Sequence, residues 1–174
     1  MTRQPLVAKR AEELLDTSVV STAPVAGGDI ATATRLRLSN GQMALMKTLA
    51  HAPDGFFEAE AAGLRWLAGV AGGVPVPEVL AAASDCVILA WIEPTPKHQP
   101  DAAISFGAAL AATHKAGASA YGAAHDGFIG RLPLPTRPAR PGPSSMPYAA
   151  CFPTSSSRAT AVRSPTARRR RSSR

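Results

Sequence analysis

The feature that most constrains this chain is a break in its composition after Pro138. Residues 139–174 contain no Leu and no Ile, and Arg, Ser and Pro make up 21 of these 36 residues. Such a segment has too little apolar surface to offset the entropy lost on ordering it. Any packed fold must therefore come from residues 1–138, and the remainder is expected to be disordered. A total of 174 residues suits one domain with a tail and is short for two full domains.

The same break accounts for the charge. A formal net charge of +7 suggests nucleic acid until it is divided along the chain. Residues 1–138 carry 11 Lys and Arg against 12 Asp and Glu, whereas residues 139–174 carry eight Arg, no Lys and no acid. The body is nearly neutral. Nucleic acid could be held only non-specifically, through the tail's Arg168-Arg169-Arg170-Arg171 run. Arg, Ser, Pro, Ala, Gly and Thr without Lys, Ile or Leu is also what a GC-rich gene yields out of frame, and that reading of the tail is preferred.

The body reads as ordered elements. Apolar residues at helical spacing with Glu12-Glu13 predict a helix over 6–15. Extended segments over 18–26 and 30–38 flank Gly27-Gly28-Asp29, and Asn40-Gly41 signals a hairpin into a return strand over 42–49. A helix over 56–70 follows and is stopped by Gly72-Gly73, Pro75 and Pro77. Strands over 78–83 and 86–92 are joined by Ser84-Asp85, and Asp101 is expected to cap a helix that runs to Lys115 before Gly117. Residues 121–138 read as loop. The fold class expected is α+β: an antiparallel sheet of about five strands with a helix, followed by the start of a helical region and the tail.

Several function classes drop out. Cys86 and Cys151 sit in no Cys-x-x-Cys or Cys/His cluster, so neither a zinc site nor a disulfide framework is expected. The longest apolar run, residues 86–92, is far short of the roughly 20 residues a membrane-spanning helix needs. A reducing cytoplasm is the expected location. His51 and His98 fall in expected loops and His114 near a helix end, where packing or capping is expected of it, and no Ser/His/Asp or Cys/His arrangement is apparent.

Two charged residues stand out. Alternation along 42–49 puts Lys47 on a face with Met43, Leu45 and Leu49, an ammonium among apolar neighbours. On the following helix the apolar stripe is Phe57, Leu64 and Leu67, and Glu60 lies on that stripe while Glu58 shares the outer face with Arg65. A lone lysine could snorkel to water, and a lone Glu60 could sit at a helix boundary. Together they invite an ion pair, because an unpaired buried charge is costly. In phosphoryl-transfer enzymes such a pair holds the lysine against nucleotide phosphates. Gly27 and Gly28 would let backbone N–H groups approach those phosphates, although a Gly-Gly turn alone is commonplace. Residues 86–92, ending at Glu93-Pro94, would offer backbone groups of Ala90, Trp91 and Ile92 to an adenine edge, as would any buried strand.

Gly27-Gly28-Asp29-Ile30, Met46-Lys47-Thr48, Phe57-Glu58-Ala59-Glu60-Ala61-Ala62-Gly63-Leu64, Val76-Pro77-Glu78-Val79-Leu80, Trp91-Ile92-Glu93 and Asp126-Gly127-Phe128-Ile129-Gly130 together resemble the fructosamine kinase (ketosamine-3-kinase) family. This is a branch of the aminoglycoside-phosphotransferase-like kinases, and the likeness covers roughly residues 5–138. It implies a bilobal kinase-like fold, with residues 1–93 as the small lobe and 94–138 as the hinge and the start of a truncated large lobe. It implies ATP and Mg²⁺ as cofactors and a ketoamine as the substrate phosphorylated on a sugar hydroxyl. Lys47 would be the phosphate-binding lysine and Glu60 its partner. Gly27 and Gly28 would form the phosphate-covering turn, and Trp91, Ile92 and Glu93 the nucleotide hinge.

The resemblance also locates what is missing. The family carries its catalytic aspartate on a His-Gly-Asp loop and holds metal with a later Asp, both beyond the matching stretch. After the hinge this sequence has only Asp101 and Asp126 and no Asn. His125-Asp126-Gly127-Phe128 precedes that machinery and is not expected to replace it. No catalytic or metal-binding residue is therefore assigned, and little or no turnover is expected. The alternatives are another small-molecule phosphotransferase, of aminoglycoside or choline type, and a non-catalytic nucleotide- or nucleic-acid-binding module using the basic tail.

Overall fold

A computed structural model describes residues 4–94 and 101–136. The tail 139–174 with Cys151, and the connector with His98, lie outside the described residues. The elements are α1 (Gln4–Leu15), β1 (Val19–Val25), β2 (Thr32–Leu38), β3 (Met43–Thr48), α2 (Phe56–Ala68), β4 (Val79–Ala83), β5 (Cys86–Ala90), α3 (Ala102–Ala116), β6 (Gly127–Ile129) and β7 (Leu132–Leu134). Five strands form one sheet in the order β1-β2-β3-β5-β4, and every neighbouring pair is antiparallel.

The β2–β3 hairpin sets the register on which the site depends. Gly41 adopts φ 86°, a left-handed conformation open to glycine. Its N–H donates to the Leu38 carbonyl at 3.0 Å, and the Asn40 side chain accepts from the Gln42 N–H at 3.0 Å. The loop is thus three residues, with Gly at the left-handed position. Ala33 then pairs with Lys47 and Arg35 with Leu45.

Helices cover both faces of the sheet. On one, Leu36, Leu38, Ala44, Met46, Cys86 and Ile88 pack with Ala11 of α1; on the other, Leu49, Val87 and Leu89 pack with Phe57 and Ala61 of α2. β5 feeds both cores, so four consecutive residues of it are buried instead of alternating. α1 is fastened by Glu12, which accepts the Val19 N–H at 2.7 Å, and by Arg10, which donates two 3.0 Å bonds to Asp85 in the β4–β5 turn. No helix among the described residues is long and apolar enough to cross a membrane.

Four local expectations are corrected. Leu67 is 38% exposed and Ala61 joins Phe57 on the buried stripe, because nothing covers the last turn of α2, where residues 65–68 are all exposed. The Asp101 side chain makes no capping hydrogen bond, and α3 begins with the Ser105 N–H bonded to the Asp101 carbonyl at 2.9 Å. His114 is exposed, not packed. Residues 121–138 are not all loop: β6 and β7 form a hairpin about Gly130, which has φ 60°. These strands are only three residues long and β7 contains Pro133, so no local pattern marks them. What holds them is distant in sequence. The Phe128 ring lies 5.2 Å from that of Phe56, and Thr136 closes the base through its N–H to Asp126 and its hydroxyl to the His125 carbonyl, both at 2.8 Å.

Candidate functional site

β3 projects Met43, Leu45 and Lys47 toward the α2 side of the sheet, opposite the fully buried Ala44 and Met46. The expected apolar face and the most buried face are therefore different ones. Both faces of this strand are apolar because both are covered, and alternation alone could not rank them. Lys47 sits between Ala33 of β2 and Val87 of β5. Its Nζ donates to Oε1 of Glu60 on α2 at 2.5 Å, with the two side chains 29% and 28% exposed. The pair is sheltered but reachable. An ammonium has three donors, so two remain for a ligand once Glu60 has taken one.

The turn between β1 and β2 occupies residues 26–31, at the end of the sheet nearest Lys47. Gly27 and Gly28 have φ 108° and 95°, and a Cβ on Gly27 would meet nothing within 4 Å. Here glycine answers to backbone conformation, and the space above the turn is open. β5 ends at Ala90 instead of continuing to Ile92. The Ala90 N–H donates to the Glu78 carbonyl at 2.8 Å and the Trp91 N–H to the Met43 carbonyl at 3.1 Å, so both are spent on holding the sheet together. Ile92 and Glu93 are exposed beyond them. The Trp91 indole donates to Glu93 at 2.6 Å, and the Arg35 guanidinium lies 5.4 Å from the centre of its ring.

Sequence reading missed Arg35. The signal was present, because the three-residue hairpin loop pairs Arg35 with Leu45 and so puts it on the face of Lys47. That face carries two cations: Lys47 beside the glycine turn and Arg35 over the ring of Trp91. Leu45, the partner of Arg35, and Lys47 lie about 7 Å apart along an extended strand, so a ligand lying along β3 could touch both cations.

The other charged candidates lie elsewhere. Asp126 is tied to Thr136, and Asp101 begins α3. Among the described residues no group of three or more His, Cys, Asp or Glu gathers to hold a metal ion. A cleft of about 730 Å³ on the outer side of α2, lined by Ala59, Ala62, Trp66, Tyr121 and Phe128, includes neither Lys47 nor Glu60.

Comparison with known proteins decides what kind of chain this is. The family model described as fructosamine kinase matches residues 4–140.

The chain belongs to the fructosamine kinase family.

It is 38% identical over 114 residues to a protein of Thermus thermophilus provisionally named a ketoamine kinase, covering 66% of this chain and 39% of that one. A Thermobifida fusca crystal structure provisionally titled fructosamine-3-kinase superposes with a TM-score of 0.70 at 38% identity, covering 77% of this chain and 47% of that one. A Haemophilus somnus structure with the same provisional title shares the fold at 18% identity, with a TM-score of 0.64 over 76% of this chain and 46% of its own. This family member thus spans less than half the length of these relatives. The family is one of kinases, and the sheet with its helices has the fold of its solved members.

Proposed function

We propose that these residues form the nucleotide-holding part of an ATP-dependent ketoamine kinase. Residues 1–93 act as the small lobe and 94–138 as the hinge and the start of the large lobe. The observation that carries the reading is the Lys47–Glu60 pair. Glu60 fixes the ammonium as a point charge, and its two remaining N–H groups face the ligand's phosphate oxygens. Gly27 and Gly28 admit those phosphates close to the backbone. Because the Ala90 and Trp91 N–H groups are already bonded, the adenine edge falls to the backbone of Ile92, with Trp91 and Glu93 framing it.

The substrate this family reading favours is a ketoamine, phosphorylated on a sugar hydroxyl. That transfer needs an aspartate to take the hydroxyl proton and carboxylates to hold Mg²⁺. The described residues do not fit the metal: Asp126 serves the hairpin, Glu60 is spent on Lys47, and no group of three or more metal-ligating side chains gathers among them. The 174-residue chain is therefore expected to bind ATP without transferring its phosphate.

Calorimetric titration with ATP, followed by incubation with ATP, magnesium and fructosyl-lysine, tests both halves. Saturable ATP binding with no phosphorylated product is the expected result. Absence of ATP binding overturns the nucleotide reading, and formation of phosphofructosyl-lysine overturns the loss of turnover.

A further inference from the structure

The β6–β7 hairpin does more than fill space. It packs on one element that approaches Lys47 and lies beside a second that approaches it from another direction. Its Phe128 ring packs at a tilt against Phe56 in the first turn of α2, with ring centres 5.2 Å apart. Phe56 stands edge-on to the fully buried Phe57, so this contact is continuous with the core beneath the sheet. Phe56 is one helical turn before Glu60, and residues four apart lie on the same side of a helix. Pressure on Phe56 is therefore pressure on the part of α2 that carries the Lys47 partner.

The hairpin tip meets the glycine turn. Gly130 turns the chain with φ 60°, and a Cβ added there would lie 3.5 Å from Cδ1 of Ile30, which places the Ile30 side chain beside the tip. Ile30 is two residues beyond Gly28 and precedes Ala31, which packs against the Phe57 core. The turn is thus anchored at Ala31, flanked by the hairpin tip at Ile30, and open at Gly27. A loop with so few restraints takes its position from those it has.

We propose that the hairpin is a positioning element of the nucleotide site. Phe128 sets α2, and through it Glu60, while the Gly130 tip sets the glycine turn through Ile30. Neither residue touches the ligand. This role rests on the nucleotide reading above and adds to it the device that holds turn and helix at a fixed separation across Lys47. Its basis is the hairpin's place between the two, packed on α2 through Phe128 and beside Ile30 at its tip, since a hairpin near α2 alone would leave the turn free.

The test uses the whole chain with Phe128→Ala, Phe128→Tyr and Ile30→Ala. Amide exchange over residues 26–31 is followed by mass spectrometry without ligand, and ATP affinity is measured by calorimetry. Phe128→Ala should speed exchange in the turn and weaken ATP binding about fivefold, the scale of losing an aromatic pair. Phe128→Tyr, which keeps the ring, should restore both. Ile30→Ala should speed exchange in the turn while leaving α2 unchanged. Protection of the buried Cys86 thiol from labelling should stay at the wild-type level in all three, which separates local positioning from general destabilisation. Unchanged exchange over 26–31 in Phe128→Ala overturns the proposal. So does Phe128→Ala binding ATP as tightly as a wild type that itself binds it. A wild type that binds no ATP overturns the nucleotide reading and this role with it.

Discussion

β5 and α3 are both built from apolar residues, Cys-Val-Ile-Leu-Ala in one and a helix rich in Ala, Ile, Phe and Leu in the other. Four residues of β5 are buried, whereas α3 buries none and leaves Ile104 72% exposed, with Phe106 more than half exposed as well. The difference lies in what surrounds them. β5 runs between β3 and β4 with α1 over one face and α2 over the other. α3 is tied to the body at Thr113, whose hydroxyl accepts the Val74 N–H at 2.9 Å and donates to the Ala109 carbonyl at 3.1 Å. Gly73 makes room for that tie, since a Cβ there would come within 2.9 Å of the Thr113 hydroxyl. An apolar side chain stabilises a fold only when something covers it, so stability here should reside in the sheet and its two flanking helices.

The sharpest way to break this contrast is to truncate one phenylalanine from each region. Phe57→Ala empties a fully buried position in the α2 core and should cost about 3–5 kcal/mol. Phe106→Ala on the exposed face of α3 should change stability by no more than about 0.5 kcal/mol. Urea denaturation of the two variants measures both. Similar losses would show that α3 is as integral to the folded unit as the sheet.

Cys86 sharpens the comparison through its chemistry. Burial pushes its thiol up to about 12, with the Asp85 charge adding to the shift. The neutral thiol therefore favours the folded state fully below the ordinary value of 9.0, and that contribution is lost as pH rises from 9.0 toward 12. Cys86→Ala should flatten this alkaline decline in a denaturation series. In the wild type, labelling at pH 8 should proceed only as fast as the sheet opens.

A smaller effect is expected at the sheet rim. Two hydrogen bonds from Arg10 hold the Asp85 carboxyl below its ordinary value of 3.8. The pair's stabilisation is present above that value and disappears as pH falls below it. Both side chains are more than a third exposed, so solvent screening limits the benefit to about 1 kcal/mol or less. Asp85→Asn should remove this part of the acid limb and lower neutral-pH stability by about 1 kcal/mol or less.

The sheet was legible because its signals are local. Asn40-Gly41 marks the hairpin, and the spacing of Phe57 and Glu60 puts a carboxylate beside the buried stripe of α2. The meeting of Lys47 and Glu60 could be argued because two unpaired charges directed at one core call for each other. Arg35 was hidden by register: a loop one residue shorter would have placed it on the opposite face. The β6–β7 hairpin was hidden for another reason. Its strands are too short to show a period, and its support comes from Phe56, more than seventy residues earlier. Leu67 shows the same limit, since helical spacing assigns a side chain to a face but not how far along the helix that face is covered.

The central claim is that Lys47, fixed by Glu60, binds nucleotide phosphate, and ATP titration of the wild type, Lys47→Met, Glu60→Gln and the double variant tests it most directly. Lys47→Met keeps the apolar stem and removes the charge, so affinity should fall about tenfold or more, as expected for lost hydrogen bonds to a charged group. Glu60→Gln should weaken binding less, and the double variant should be no weaker than Lys47→Met alone. Equal ATP affinity in the wild type and Lys47→Met would contradict the account.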